Sequence, residues 1–166
     1  MLSDSYEKQI VQGIKQRIKE SGNADKQILL DLVSVTKQAI RNGDADNDYW
    51  WKITKYVKDV SQYMHLQTCK ESWGEIYDQT LLFEAPYLFE SFMLYMEKNR
   101  PPEERFYQPR VNPLKRVADG IQAMAEDRLD ELFVNCPSRV GKTQIVKFGF
   151  VWWGSRNPET SNLYTA

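Results

Sequence analysis

Cysteine and histidine are almost missing from this chain. Cys69 and Cys136 are the only two cysteines, far apart and in no Cys-x-x-Cys pair. A disulfide or zinc framework is therefore not expected, and the usage points to a reducing compartment, the cytoplasm. His65 is the only histidine. Alone it has no partner for metal binding and nothing marks it as a general base, so it reads as a partly buried packing residue. An excess of one charge is also lacking: 22 Lys and Arg against 23 Asp and Glu leave a net charge of −1. That is no global nucleic-acid signature, and any DNA-binding surface must be local. Long apolar runs are absent too. The strongest, Phe148 to Trp153, is far too short to span a membrane, and Met1 to Lys8 contains no apolar signal core. No membrane partner is expected. Repeats and low-complexity tracts do not occur.

What is present is a hydrophobic fraction of 42%, enough for a core, with an aromatic fraction of 13%. The length suits one domain or one and a part. Apolar residues recur at helical spacing over most of it. Tyr6, Ile10, Ile14 and Ile18 predict a helix over 4–20. Ile28, Leu29, Leu32, Val33, Thr36, Ala39 and Ile40 predict another over 24–41, closed by Asn42-Gly43. Asp44, Asp46 and Asp48 imitate the start of a calcium loop, but its glycine and twelfth-position acid would fall on Tyr49 and Lys55. The expected element is a turn and helix N-cap. Trp50, Ile53, Val57, Val60 and Met64 form a packing seam over 49–68. The aromatics of 72–98 read as core, with Pro86 in a helix first turn and Asn99-Arg-Pro-Pro102 as the break.

Arg105, Arg110, Lys115 and Arg116 follow with no acid between positions 105 and 116. They form a basic connector into a helix, with Pro113 at its first residue, that continues through Leu114, Val117, Ala118 and Ile121. This stretch is the main local charge feature, and it is suited to phosphates of ATP or DNA.

The chemistry concentrates in residues 131–143, Glu-Leu-Phe-Val-Asn-Cys-Pro-Ser-Arg-Val-Gly-Lys-Thr. Leu132, Phe133 and Val134 carry the pattern of a buried strand. Cys136 to Val140 read as a loop, and Gly141-Lys142-Thr143 opens an apolar helix that Gly154 is expected to cap. Phosphate oxygens need converging backbone N–H groups, which a helix start supplies. Gly141 allows close backbone approach, Lys142 brings a compact positive charge, and Thr143 offers a hydroxyl to Mg²⁺. The first glycine of G-x-x-x-x-G-K-[ST] is replaced by Cys136.

Cys-Pro-Ser-Arg-Val-Gly-Lys-Thr resembles the Pro-Pro-Arg-x-Gly-Lys-[Ser/Thr] loop of tailed-phage terminase large subunits, whose first glycine is often absent. The segment Leu82–Tyr107 is similar to the stretch before the ATPase in one branch of that family. Trp152-Trp-Gly-Ser-Arg-Asn-Pro158 is similar to the family's apolar helix and its following turn. The resemblance covers roughly residues 72–166. It implies an ATP-dependent motor that drives double-stranded DNA through a portal protein into a procapsid and cuts concatemers. A small terminase subunit would be its partner, it would be a homo-oligomer when intact, and it would work in the host-cell cytoplasm. ATP and Mg²⁺ would be the cofactors. Lys142 and Arg139 would be catalytic, Arg139 as a cis arginine on the transition state. Pro137, Ser138, Arg139, Val140, Gly141, Lys142, Thr143 and Gln144 would hold phosphates. Tyr107, Gln108 and Arg110, with Phe106, are candidates for the family's adenine-contacting element, and Thr143 for the metal.

The fold expected is mainly α with a small α/β portion. It comprises a helical N-terminal region over 1–70, a helical connector over 71–106, and the incomplete start of a P-loop β-α-β core over 107–166. Ser161 to Ala166 would begin its second strand. No apolar run ending in Asp-Glu follows Thr143, so the chain reads as the N-terminal part of a longer ATPase and is expected to be inactive by itself. Two other readings stand beside this one: a helicase-like P-loop ATPase, and a non-catalytic helical interaction module.

Overall fold

The computed structural model describes residues 12, 13, 16, 26–45, 47–137 and 139–157. Its helices are α1 (Lys26–Arg41), α2 (Asp48–Thr68), α3 (Glu71–Glu84), α4 (Phe89–Glu97), α5 (Val111–Ala125) and α6 (Lys142–Arg156). Two 3₁₀ turns, Pro102–Glu104 and Gln108–Arg110, lie between α4 and α5. The chain divides into two compact units, Met1–Phe83 and Glu84–Ala166.

In the first unit α1 packs on α2. The apolar faces read from the sequence are the buried ones: Leu29, Leu32, Val33, Ala39 and Ile40 on α1, and Trp50, Ile53 and Val57 on α2. Gly43 turns the chain with φ +98°, a left-handed conformation that suits glycine. Asn47 is the N-cap of α2, its side chain accepting from the Tyr49 N–H at 3.1 Å. The Asp44 carboxylate accepts from the Asn47 amide and the Trp50 indole N–H. The acids at 44 and 48 thus serve a turn and a helix start, as expected; Asp46 lies outside the described residues. His65 is half-buried, with its Nδ1 3.1 Å from the Lys70 carbonyl. Of the helix expected over 4–20, Gln12, Gly13 and Gln16 are described and helical; the rest lies outside the described residues.

In the second unit α4, α5 and α6 pack on one another around Phe89, Met93, Leu114, Ile145, Phe148 and Trp152. Trp152 is 1% exposed, and its indole N–H donates to the Ala85 carbonyl at 2.7 Å. Pro86 sits in the turn before α4 rather than in its first turn, because Tyr87 and Leu88 N–H both fold back on the Glu84 carbonyl and the helix begins at Phe89. Pro113 is the third residue of α5 rather than the first; α6 runs through Gly154 to Arg156 and is capped at Asn157.

The α/β portion is not formed: the described residues contain no strand and no β-α-β core, and their regular structure is all helical. Residues 131–137 are extended, yet among the described residues no backbone hydrogen bond joins them to another segment. A strand needs a ladder partner. Burial also alternates here instead of running continuously. Leu132, Val134 and Cys136 are half-buried, whereas Glu131, Asn135 and Pro137 are exposed and Phe133 is 89% exposed. The inner face lies on helices: Val134 and Cys136 pack against the core, and the Leu132 side chain fills the notch left by Gly120 of α5, where a Cβ would stand 2.7 Å from it. The apolar run therefore meets a helix layer on one side only. The second strand expected over 161–166 lies outside the described residues. No described helix is long and apolar enough to cross a membrane.

Candidate functional site

The site forms where the extended segment turns into α6. Gly141 takes φ +97°, and Lys142 is the first residue of the helix. No side chain caps this helix start, and its first turn carries no acid. The free N–H groups therefore face outward with a cation beside them, opposite to the charge that a helix N-terminus favours. The Lys142 ammonium donates to the Cys136 carbonyl at 2.9 Å, across the loop. That partner is neutral, so the positive charge is not offset.

The helix start opens on a cleft of about 450 Å³. One wall consists of Arg139, Gly141, Lys142, Thr143 and Gln144, the other of Arg100, Glu104, Phe106 and Arg110. Four cations thus line it against one carboxylate, in a chain whose net charge is −1. Among the described residues none of the four forms an ion pair. Arg110 donates to the Phe106 carbonyl at 3.1 Å, again a neutral partner. Cations left without carboxylates around a concave surface attract an anion.

The structure brings six of the residues expected from sequence into the cleft lining and leaves Pro137, Val140, Tyr107 and Gln108 out of it. Arg139, Gly141, Lys142, Thr143, Gln144 and Arg110 line the cleft. Arg139 and Thr143 are exposed, Val140 is half-buried beside them, and Pro137 is exposed at the end of the extended segment. Ser138 lies outside the described residues. Tyr107 is fully buried and turned away, its hydroxyl donating to Glu90 Oε1 at 2.7 Å. Burial, joined by that hydrogen bond, pushes its phenol well above the ordinary value. Gln108 is exposed and accepts from Arg105 at 2.6 Å, outside the cleft lining.

The basic connector likewise separates into roles. Arg105 donates to the carbonyls of Lys98 and Arg100. Lys115 pairs with Glu90 at 2.6 Å and Asp119 at 3.0 Å. Burial lowers the Lys115 pKa, but those hydrogen bonds outweigh it and the net direction is upward. Arg116 is exposed. Arg100 and Glu104 escaped sequence reasoning. Their only signal was position beside the Pro101-Pro102 break, which says that the chain turns but not what it turns toward.

A metal would have little from the protein here. Among the described residues no group of three His, Cys, Asp or Glu side chains could hold an ion, and the cleft offers the Thr143 hydroxyl and the Glu104 carboxylate. Comparison with protein-family models, with curated proteins and with solved structures finds no match.

Proposed function

We propose that this cleft binds the phosphates of ATP and that the chain serves as the N-terminal part of a viral DNA-packaging ATPase, the large terminase subunit. The observation that carries the reading is the convergence of Lys142, Arg139, Arg110 and Arg100 on the uncapped start of α6. Backbone N–H groups and the helix dipole supply a fixed positive end. Lys142 adds a point charge, and the arginines add planar, bidentate donors suited to phosphoryl oxygens. Mg²⁺ would enter with the nucleotide, with Thr143 as the ligand this chain contributes. The loop sequence adds the terminase part of the proposal through its resemblance. Double-stranded DNA, a portal and procapsid, a small subunit and further copies of the intact chain are the partners it implies. The reading needs a helix N-terminus and converging cations, and no sheet.

Titration with a fluorescent ATP analogue, read by anisotropy, tests it. A charge-assisted hydrogen bond contributes about 1.5 to 3 kcal/mol, so Lys142→Ala weakens binding by roughly ten- to hundredfold. Arg139→Lys stays within a few-fold for binding and, in the intact enzyme, suppresses hydrolysis severely. Absence of binding at millimolar nucleotide, or equal binding by Lys142→Ala, would remove the phosphate-site reading.

A further inference from the structure

Half of the cleft wall rides on a strap, residues 98–110, that is clasped to the end of α4 in both directions. Glu97, the last residue of α4, is 1% exposed. Its carboxylate accepts three successive backbone N–H groups: Phe106 at 2.7 Å, Tyr107 at 3.0 and 3.3 Å, and Gln108 at 3.2 Å. In return the Arg105 guanidinium donates to the Arg100 carbonyl at 2.8 Å and the Lys98 carbonyl at 3.2 Å. Side chain to backbone and back, the two ends of the strap hold each other.

Three successive backbone N–H groups on one buried carboxylate fill its acceptor sites and fix that stretch of backbone against it. Here those groups belong to the segment bearing Phe106 and leading directly into Arg110, both of which line the cleft. Arg100 and Glu104 lie between the two anchoring points. Glu97 itself does not line the cleft.

We infer that Glu97 is a positioning residue for a polyphosphate ligand: it fixes the strap so that Arg100 and Arg110 face the start of α6 at the spacing a chain of phosphates requires. This rests on the phosphate-binding reading above and adds the residue that sets the far wall. Lys142 and the helix N–H groups hold one phosphate, and the clasped strap makes the site selective for longer anions over a single phosphate.

The test is a double-mutant cycle between Glu97 and Arg110, with inorganic tripolyphosphate and inorganic orthophosphate as probes, measured by calorimetry on the full chain. In the parent chain tripolyphosphate binds more tightly than orthophosphate. Arg110→Ala weakens tripolyphosphate by about tenfold, the loss of one charged contact. Glu97→Gln, which keeps one acceptor oxygen but offers an NH₂ to the remaining N–H groups, weakens tripolyphosphate by a similar factor and leaves orthophosphate nearly unchanged. The double variant is no weaker than Glu97→Gln alone, because Arg110 is already out of place. A merely structural Glu97 lowers the melting temperature but leaves the Arg110→Ala effect at its full size. If the two losses multiply, or Glu97→Gln binds tripolyphosphate normally, the inference is overturned and phosphate binding stands. If the parent chain binds neither anion, both fall together. Should Glu97→Gln lose its helical circular dichroism, Arg105→Ala opens the clasp from its half-exposed side and runs the same cycle.

Discussion

Replacing Arg139 by glycine should make the protein more stable and poorer at holding an anion. Arg139 has φ +66°, the left-handed region where an L side chain crowds the following carbonyl. Cys69 and Asp127 also have positive φ, but each follows a helix, where such a residue closes the last turn. Arg139 closes nothing: it lies in the loop before α6, with its side chain exposed at the cleft. The conformation costs about 1 to 2 kcal/mol for a non-glycine residue. Glycine relieves that, and its greater freedom in the unfolded chain takes back roughly 0.5 to 1 kcal/mol. Arg139→Ala removes the same guanidinium without relieving the backbone, so the two variants together isolate the strain. Their difference should be about 0.75 kcal/mol in favour of glycine. With an m-value of about 1 to 3 kcal/mol per molar urea, the unfolding midpoint of Arg139→Gly should lie roughly 0.25 to 0.75 M above that of Arg139→Ala. Urea titrations followed by circular dichroism and tryptophan emission give this directly. Both variants should lose affinity for tripolyphosphate. Equal midpoints would refute the strain argument, and undiminished affinity in both would show that the guanidinium does not face the ligand.

Two further outcomes concern the second unit's interior. Trp152→Phe removes the indole donor to a buried carbonyl and leaves space beside Phe89, whose ring centroid is 5.3 Å away. It should cost about 2 to 4 kcal/mol and lower the calorimetric melting temperature by roughly 10 °C or more. Tyr107 and Lys115 both have raised pKa values in the folded state, so their stabilisation is present below their ordinary values, about 10 and 10.4, and is lost as pH rises past them. Urea midpoints should therefore hold up to about pH 10 and fall above it, and Tyr107→Phe should flatten that fall.

The helices were legible because their burial follows periodicity. The seam from Trp50 to Val57 needs only a neighbour, and α1 is adjacent in the chain. The turn into α6 was legible as well: Gly141 adopts the conformation that favours glycine, and the helix starts at Lys142. The strand was misread because Leu132-Phe133-Val134 does not disclose whether one face or two will be covered. Gly120, twelve residues upstream, supplies the notch for Leu132, and a short apolar run cannot announce such a partner. Glu97 was invisible for a related reason. An acid at the end of an apolar helix reads as a solvated terminus, and only tertiary structure reveals three N–H groups converging on it.

The one-sided docking of residues 131–137 has a consequence for how the second unit comes apart. Phe133 stands out from a stretch that no backbone-to-backbone hydrogen bond joins to another segment among the described residues. Chymotrypsin should therefore nick the native chain there, at a site with little local structure to unfold first. The cut would leave α6 without a covalent tie to α5, yet Ile145, Phe148 and Trp152 would still be packed among Phe89, Met93 and Leu114. The two pieces should remain together on a sizing column and separate only in denaturant. The loop would then be a removable cord, and the fragments a noncovalent pair able to reassemble after dilution from urea.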